Sequence, residues 1–202
     1  MTIPGESPAL LHEGGTWRTR GYLPHFEGAG ALAVTFRLSD SLPGAVLAQI
    51  ESEVAELGTK AGQERHRRVE SWLDRGSGAC WLRNPQIAKV VADALLFLDR
   101  RRYDLHAWVV MPNHVHLLFT PIAPASLAAI VHSLKSYTAK EANRLLGRTG
   151  PFWQREYFDR AIRDAEHFSD AVEYIEANPI KAGLCPRISD WPYSSARFTR
   201  TG

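Results

Sequence analysis

The stretch YDLHAWVVMPNHVHLLFTP, Tyr103 to Pro121, decides how this chain is read. Two runs rich in β-branched and aromatic residues flank Met111-Pro112-Asn113, where proline and asparagine supply turn chemistry. The segment predicts two neighbouring antiparallel strands with their junction at or near Pro112 and Asn113. Side chains along a strand alternate between faces, so in His114-Val115-His116 both imidazoles share one face while Val115 points into the core.

Working outward, Ala31 to Leu38 (ALAVTFRL) predicts a first strand, and Ser39-Asp40-Ser41 offers caps for a helix from about Pro43 to about Gly58. Arg65 to Val69 (RHRRV) reads either as another helical turn or as a basic loop. Asn84 caps and Pro85 opens the next helix, in which Ile87, Val90, Val91, Ala94, Leu95 and Leu98 recur at helical spacing through Arg101. Beyond the strand pair, Ser126 opens a helix reaching Leu146, and its polar side carries His132, Lys135, Lys140 and Arg144. Phe152 to Ile162 alternates well enough for a fourth strand, and Asp164 starts a last helix through Tyr174 to about Asn178. Pro179 marks its end, because the residue before a proline is pushed out of helical geometry.

The order β-α-α-β-β-α-β-α predicts an α+β fold: a small antiparallel sheet covered by helices, of the ferredoxin-like, split-βαβ kind. Residues 1–30 read as a basic and aromatic N-terminal arm, 31–184 as the main domain, and 185–202 as a C-terminal tail packed on it.

Composition excludes several classes. A chain of 202 residues buries a real core and sits in the range of one domain. No apolar run is long enough to span a bilayer, so no membrane association is expected. Met1 to Leu11 lacks a basic start followed by an apolar core, which makes the cytoplasm the expected compartment. Cys80 and Cys185 are too far apart in sequence for a structural zinc pattern and read as reduced thiols. A net charge of +2 decides nothing about nucleic acid, because binding depends on where the positive charge lies.

Neutral imidazole is a good ligand for a divalent cation, so His114 and His116 are candidate metal ligands, with structural histidines as the alternative. Tyr174 and Asn178 are four residues apart and project from one helix face. The Asn178 amide oxygen is therefore placed to complete a metal site while Tyr174 faces a substrate. The plainer alternative has Tyr174 packed on the sheet and Asn178 serving as a helix cap. Tyr137 and Tyr157 compete as nucleophiles on chemistry alone.

Several segments together carry a more specific signal: RGYLPHFE (20–27), VTFRL (34–38), AWVVMPNHVHLL (107–118), FWQREYFDRAIRD (152–164), YIEANPIKAGL (174–184) and WPYSS (191–195). Through them nearly the whole chain resembles the REP-associated tyrosine transposases, within the single-tyrosine transposases that carry a His-hydrophobic-His (HUH) pair. The resemblance implies an HUH endonuclease fold, with the pair on His114 and His116, the nucleophile on Tyr174, and the third ligand on Asn178, a position often held by Gln in related transposases. It implies a metal-dependent enzyme that cuts and rejoins single-stranded DNA hairpins of the REP type through a 5′-phosphotyrosine, with magnesium or manganese as the cation; the alternatives are a sequence-specific hairpin-binding protein that does not cut and a metal-dependent nuclease that uses water. DNA contacts are then expected from Arg18, Arg20, Tyr22 and His25 in the arm and from Lys135, Lys140 and Arg144 on the basic helix, with Trp17 and Trp153 as further stacking aromatics. A nucleoid-associated cytoplasmic protein, monomer or homodimer, is the corresponding expectation.

Overall fold

The computed structural model describes residues 16–19, 24–28 and 30–198. Its organising element is a four-stranded, fully antiparallel sheet of β3 (Leu32–Arg37), β4 (Tyr103–Val110), β5 (His114–Pro121) and β6 (Phe158–Ala161), in the order β4-β5-β3-β6. Strand β5 lies between β3 and β4, which run parallel to each other, so the split-βαβ arrangement and the α+β class hold. Upstream, β1 (Thr16–Thr19) and β2 (Pro24–Glu27) pair as a separate antiparallel hairpin that sets Arg18 opposite His25. The part of the expected arm between them, including Arg20 and Tyr22, lies outside the described residues.

Between β3 and β4 stand three helices rather than the expected two: α1 (Gly44–Val54), α2 (Ala61–Asp74) and α3 (Pro85–Leu98). The first break is at Gly58, whose φ of 53° takes it out of helical geometry within a 3-10 segment over Ala55–Lys60. The RHRRV stretch is therefore helical, inside α2, and the continuation of that helix carries Glu70. As expected, Asn84 caps α3 by accepting from the Gln86 amide, with Pro85 as its first residue.

The two faces of the sheet are covered differently. Leu32, Val34 and Phe36 of β3 and Val115, Leu117 and Phe119 of β5 form the main core with α3 and α4 (Leu127–Leu145). On the other face, Ala107, Val109 and Leu118 pack with Ile175 of α5 (Ala165–Lys181), and Leu42, Ile50, Val54, Val69 and Leu73 build a satellite core for α1 and α2. A bulge between Leu105 and Ala107 resets the alternation in β4, so that Trp108 and Val110 face the main core and Val109 faces α5.

Two further expectations are corrected. Strand β6 spans four residues rather than the whole of 152–162; Phe152 and Trp153 precede it, buried, with only a bridge from Trp153 to Leu38. Pro179 does not end α5, which runs on to Lys181. The proline lacks one donor near the helix end, where the ladder is closing, and the Ala182 amide still bonds the Asn178 carbonyl. The segment beyond α5 returns to the sheet: the Val110 amide donates to the Tyr193 carbonyl and the Trp108 amide to Ser195 Oγ.

Candidate metal and nucleophile site

His114 and His116 project from β5 toward α5, fully buried, with Val115 turned into the main core between them. Their ring centroids are 4.6 Å apart with planes near perpendicular. Each has its Nδ1 engaged: His114 with Asn113 Oδ1 at 2.8 Å, and His116 with the hydroxyl of Thr35, its partner across β3, at 2.8 Å. The Nε2 atoms are left to face the site. Burial drives the His114 imidazole well below its ordinary range and His116 down to about 3, so both rings are neutral, the form that ligates.

Glu70, one turn before Leu73 in α2, completes the cluster. Its carboxylate, His114 and His116 each bring a ligand atom within 4.8 Å of the others. Glu70 Oε2 accepts from the Tyr174 hydroxyl at 2.5 Å and lies 3.3 Å from His116 Nε2. Burial pushes the Glu70 carboxyl up. Asn178 follows Tyr174 by one turn of α5, fully buried, with Nδ2 3.4 Å from His116 Nε2.

These residues fit a divalent cation on their own chemistry. Glu70 Oε1, His114 Nε2 and Asn178 Oδ1 are all buried without a hydrogen-bond partner, which is costly unless something else takes their lone pairs. Two neutral nitrogens with carboxylate and amide oxygens form a mixed donor set that suits magnesium or manganese as well as other first-row divalent ions.

Tyr174 is half-buried, its ring centroid 5.7 Å from that of His116, and the Lys181 ammonium stands 4.5 Å from its ring. Burial first, then the Glu70 charge and hydrogen bond, push its hydroxyl well above the usual phenol range. The competing tyrosines stand elsewhere: Tyr137 is exposed on α4, across the sheet from the histidines, and Tyr157 packs against the main core. A cleft of about 1240 Å³ opens over Tyr174, His116 and Glu70, and Arg67, Arg75, Arg160, Arg163 and Lys181 line it. Asp74 shares this cleft, its carboxyl raised to about 6 by burial and by Glu70.

The sequence-predicted DNA contacts separate into groups. Lys140 and Arg144 are exposed on α4, on the opposite side of the sheet from the histidines, and Arg144 pairs with Glu141. Lys135 is committed to structure, its ammonium donating to the carbonyls of Gln154 and Arg155. Trp153 is corrected: it is a core residue, its indole donating to Thr138 Oγ1 and its ring held edge-on by Phe36 and Phe152, so no face is free to stack on a base. Sequence reasoning missed Glu70, Asp74, Arg160, Arg163 and Lys181. The i, i+4 spacing of His66 and Glu70, unused in the sequence reading, is a signal that could have found Glu70.

The chain is similar in sequence and fold to known proteins. Residues 86–178 match the family described as "Transposase IS200 like". The REP-associated tyrosine transposase of Escherichia coli K12 is 31% identical over 109 residues, covering 53% of this chain and 63% of that protein. A relative from Haemophilus influenzae is 30% identical over 103 residues, covering 46% of this chain and 58% of its own length. The chain thus spans about three fifths of the length of these curated relatives. A solved structure of a REP-associated tyrosine transposase bound to a REP hairpin superposes with a TM-score of 0.53 at 21% identity, covering 88% of this chain and 82% of that one, which shows a shared fold. The match to the IS200-like transposase family runs from the start of α3 to Asn178 and includes both histidines and Tyr174, and the chain is similar to the REP-associated tyrosine transposases.

Proposed function

We propose that this protein is a transposase-like endonuclease and strand transferase that cuts single-stranded DNA at REP-type hairpins through a covalent 5′-phosphotyrosine on Tyr174. The observation that carries the reading is the placement of the Tyr174 hydroxyl on Glu70, beside two neutral histidines, in the wall of a cleft whose charged lining mixes four arginines and Lys181 with carboxylates. In the reaction, the phenolic oxygen bonds to phosphorus, the bond from phosphorus to the 3′-oxygen breaks, and that oxygen leaves as a 3′-hydroxyl after taking up a proton. The phenol proton passes to Glu70 Oε2, which already accepts it as a hydrogen bond. Lys181 places a positive charge beside the ring that becomes more negative during attack.

His114, His116, Glu70 and Asn178 are the residues that would hold the cation, with magnesium or manganese as the proposed ion. Bound there, it would polarise the phosphate oxygens and orient the phosphorus. Arg67, Arg75, Arg160 and Arg163 would hold the DNA backbone in the cleft, while Arg18 and His25 on the β1–β2 hairpin and Arg20 and Tyr22 between its strands would meet the hairpin or its flank. Lys140 and Arg144 would reach only DNA that wraps to the far side. Action on DNA places the protein in the cytoplasm, at the nucleoid. Among the described residues no helix is long and apolar enough to cross a membrane.

One observation favours a second reading, metal-dependent hydrolysis by water: the phenol donates its proton to Glu70 in a half-buried setting, and burial first, then Glu70, push its hydroxyl above the usual phenol range. Incubating the protein with end-labelled hairpin DNA and manganese, beside Tyr174→Phe, separates the two on a denaturing gel. A slow protein–DNA band confined to wild type supports the tyrosine nucleophile; equal release of free products by both proteins supports hydrolysis.

A further inference from the structure

We infer that Asn113 is a positioning residue for the metal centre: it fixes the tautomer of His114 and ties to that histidine the helix that carries Glu70. This deepens, and rests on, the metal-site reading above.

Asn113 is fully buried at the junction of β4 and β5, and each half of its amide has a partner. Nδ2 donates to the Ser77 carbonyl at 2.9 Å and to the Leu73 carbonyl at 3.2 Å. Carbonyl oxygens only accept, so these two bonds require the NH₂ group to face them and leave Oδ1 toward His114. Oδ1 in turn only accepts, so the hydrogen in its 2.8 Å contact belongs to His114 Nδ1. A neutral imidazole has one N–H; with it on Nδ1, Nε2 is a bare lone pair, and Nε2 is the buried atom left without a partner. One backbone carbonyl of α2 and one of the loop after it thus dictate, through one amide, which nitrogen of His114 is available to a cation.

His116 differs. Its Nδ1 meets the Thr35 hydroxyl, which both donates and accepts, so that contact dictates no tautomer. Asn113 is therefore the member of the site with a fixed orientation to transmit.

The other end of the linkage is equally constrained. Leu73 is one turn beyond Glu70, so the bond to its carbonyl holds the turn of α2 that delivers the carboxylate. Ser77 precedes Gly78, which has φ +84° and lies so close to Asp40 that an added Cβ would stand 2.6 Å from the Asp40 carbonyl oxygen. The Ala79 amide also donates to Asp40 Oδ2 at 2.9 Å, anchoring the loop that presents the Ser77 carbonyl. Asn113 thereby joins three elements, α2, its following loop and β5, at the point where two of them supply ligand atoms.

The test uses the full chain and two readouts: long-range ¹H–¹⁵N correlation of the histidine rings in metal-free protein, and calorimetric titration with manganese. Wild-type His114 is expected as the Nδ1–H form. Asn113→Asp keeps an acceptor oxygen at His114 and should retain that form. Asn113→Ala removes it, and should lose the single Nδ1–H signature and bind manganese about 10- to 100-fold more weakly, the usual cost of removing a group that orients a metal-bound histidine. Wild-type protein that binds manganese with His114 as Nε2–H overturns the positioning role alone. So does Asn113→Asp with His114 as Nε2–H, or a folded Asn113→Ala that keeps both the Nδ1–H signature and wild-type affinity. Wild-type protein with the Nδ1–H form but no manganese binding instead overturns the metal reading on which the role rests.

Discussion

The two sides of β5 are made from alternate residues of one strand, yet they are finished differently. Val115, Leu117 and Phe119 are sealed under α3 and α4, with every surface matched by apolar neighbours. On the alternate positions, His114 and His116 are just as buried, yet His114 Nε2, Glu70 Oε1 and Asn178 Oδ1 are left there without hydrogen-bond partners. A structure selected for stability alone would close the second face as it closes the first, because each unsatisfied buried polar group costs about 1–3 kcal/mol. The difference teaches that the apolar face holds the strand so rigidly that the polar face can stay poised for a ligand.

That contrast can be broken from either side. The largest effect is expected on the sealed face: Leu117→Ala should lower unfolding stability by about 3 kcal/mol through a cavity that the sheet and helices cannot close. Chemical denaturation measures it, and a loss below about 1 kcal/mol would show that this face is not the anchor. On the open face, His114→Ala should leave thermal stability near wild type while manganese affinity falls at least about 100-fold, since a ligand is lost outright and no apolar packing is. Calorimetry with the metal, alongside a melting curve, separates those two responses.

A finer test is Glu70→Gln, which keeps an oxygen to accept from Tyr174 but removes the buried charge. Stability should hold or rise, and manganese affinity should fall about tenfold for the loss of one anionic ligand; an unchanged affinity would remove Glu70 from the metal set. The smallest effect is expected at the cleft rim. Arg160→Ala should weaken single-stranded DNA binding uniformly across sequences and reduce the slope of log affinity against log salt by about one. A sequence-selective loss would instead mean that Arg160 reads a base.

How much of this was legible in the sequence follows the same division. The histidine pair and its face were readable because a strand's period of two is local, and the β4–β5 junction was readable because Pro112 and Asn113 announce a turn. Tyr174 and Asn178 were readable as an i, i+4 pair on one helix. Glu70 was not, because its role depends on α2 folding back over β5 across more than forty intervening residues, and the neighbouring arginines disguised the helix as a basic surface. Trp153 misled for the converse reason: an aromatic beside cations reads as a stacking platform until tertiary packing places Phe36 and Phe152 against it. Pro179 misled because a local rule about helix ends carries less weight when the lost bond falls in a final turn whose other donors are satisfied.

The central claim is that Tyr174 becomes covalently attached to DNA, and peptide mapping tests it most directly. Protein incubated with a nicked hairpin whose upstream fragment, ending in the new 3′-hydroxyl, dissociates and so traps the covalent intermediate would be digested and its nucleotide-modified peptides sequenced by mass spectrometry. A phosphodeoxynucleotide is expected on Tyr174, the tyrosine seated on Glu70. Modification of Tyr137 or Tyr157 instead, or cleaved DNA with no modified peptide, would contradict it.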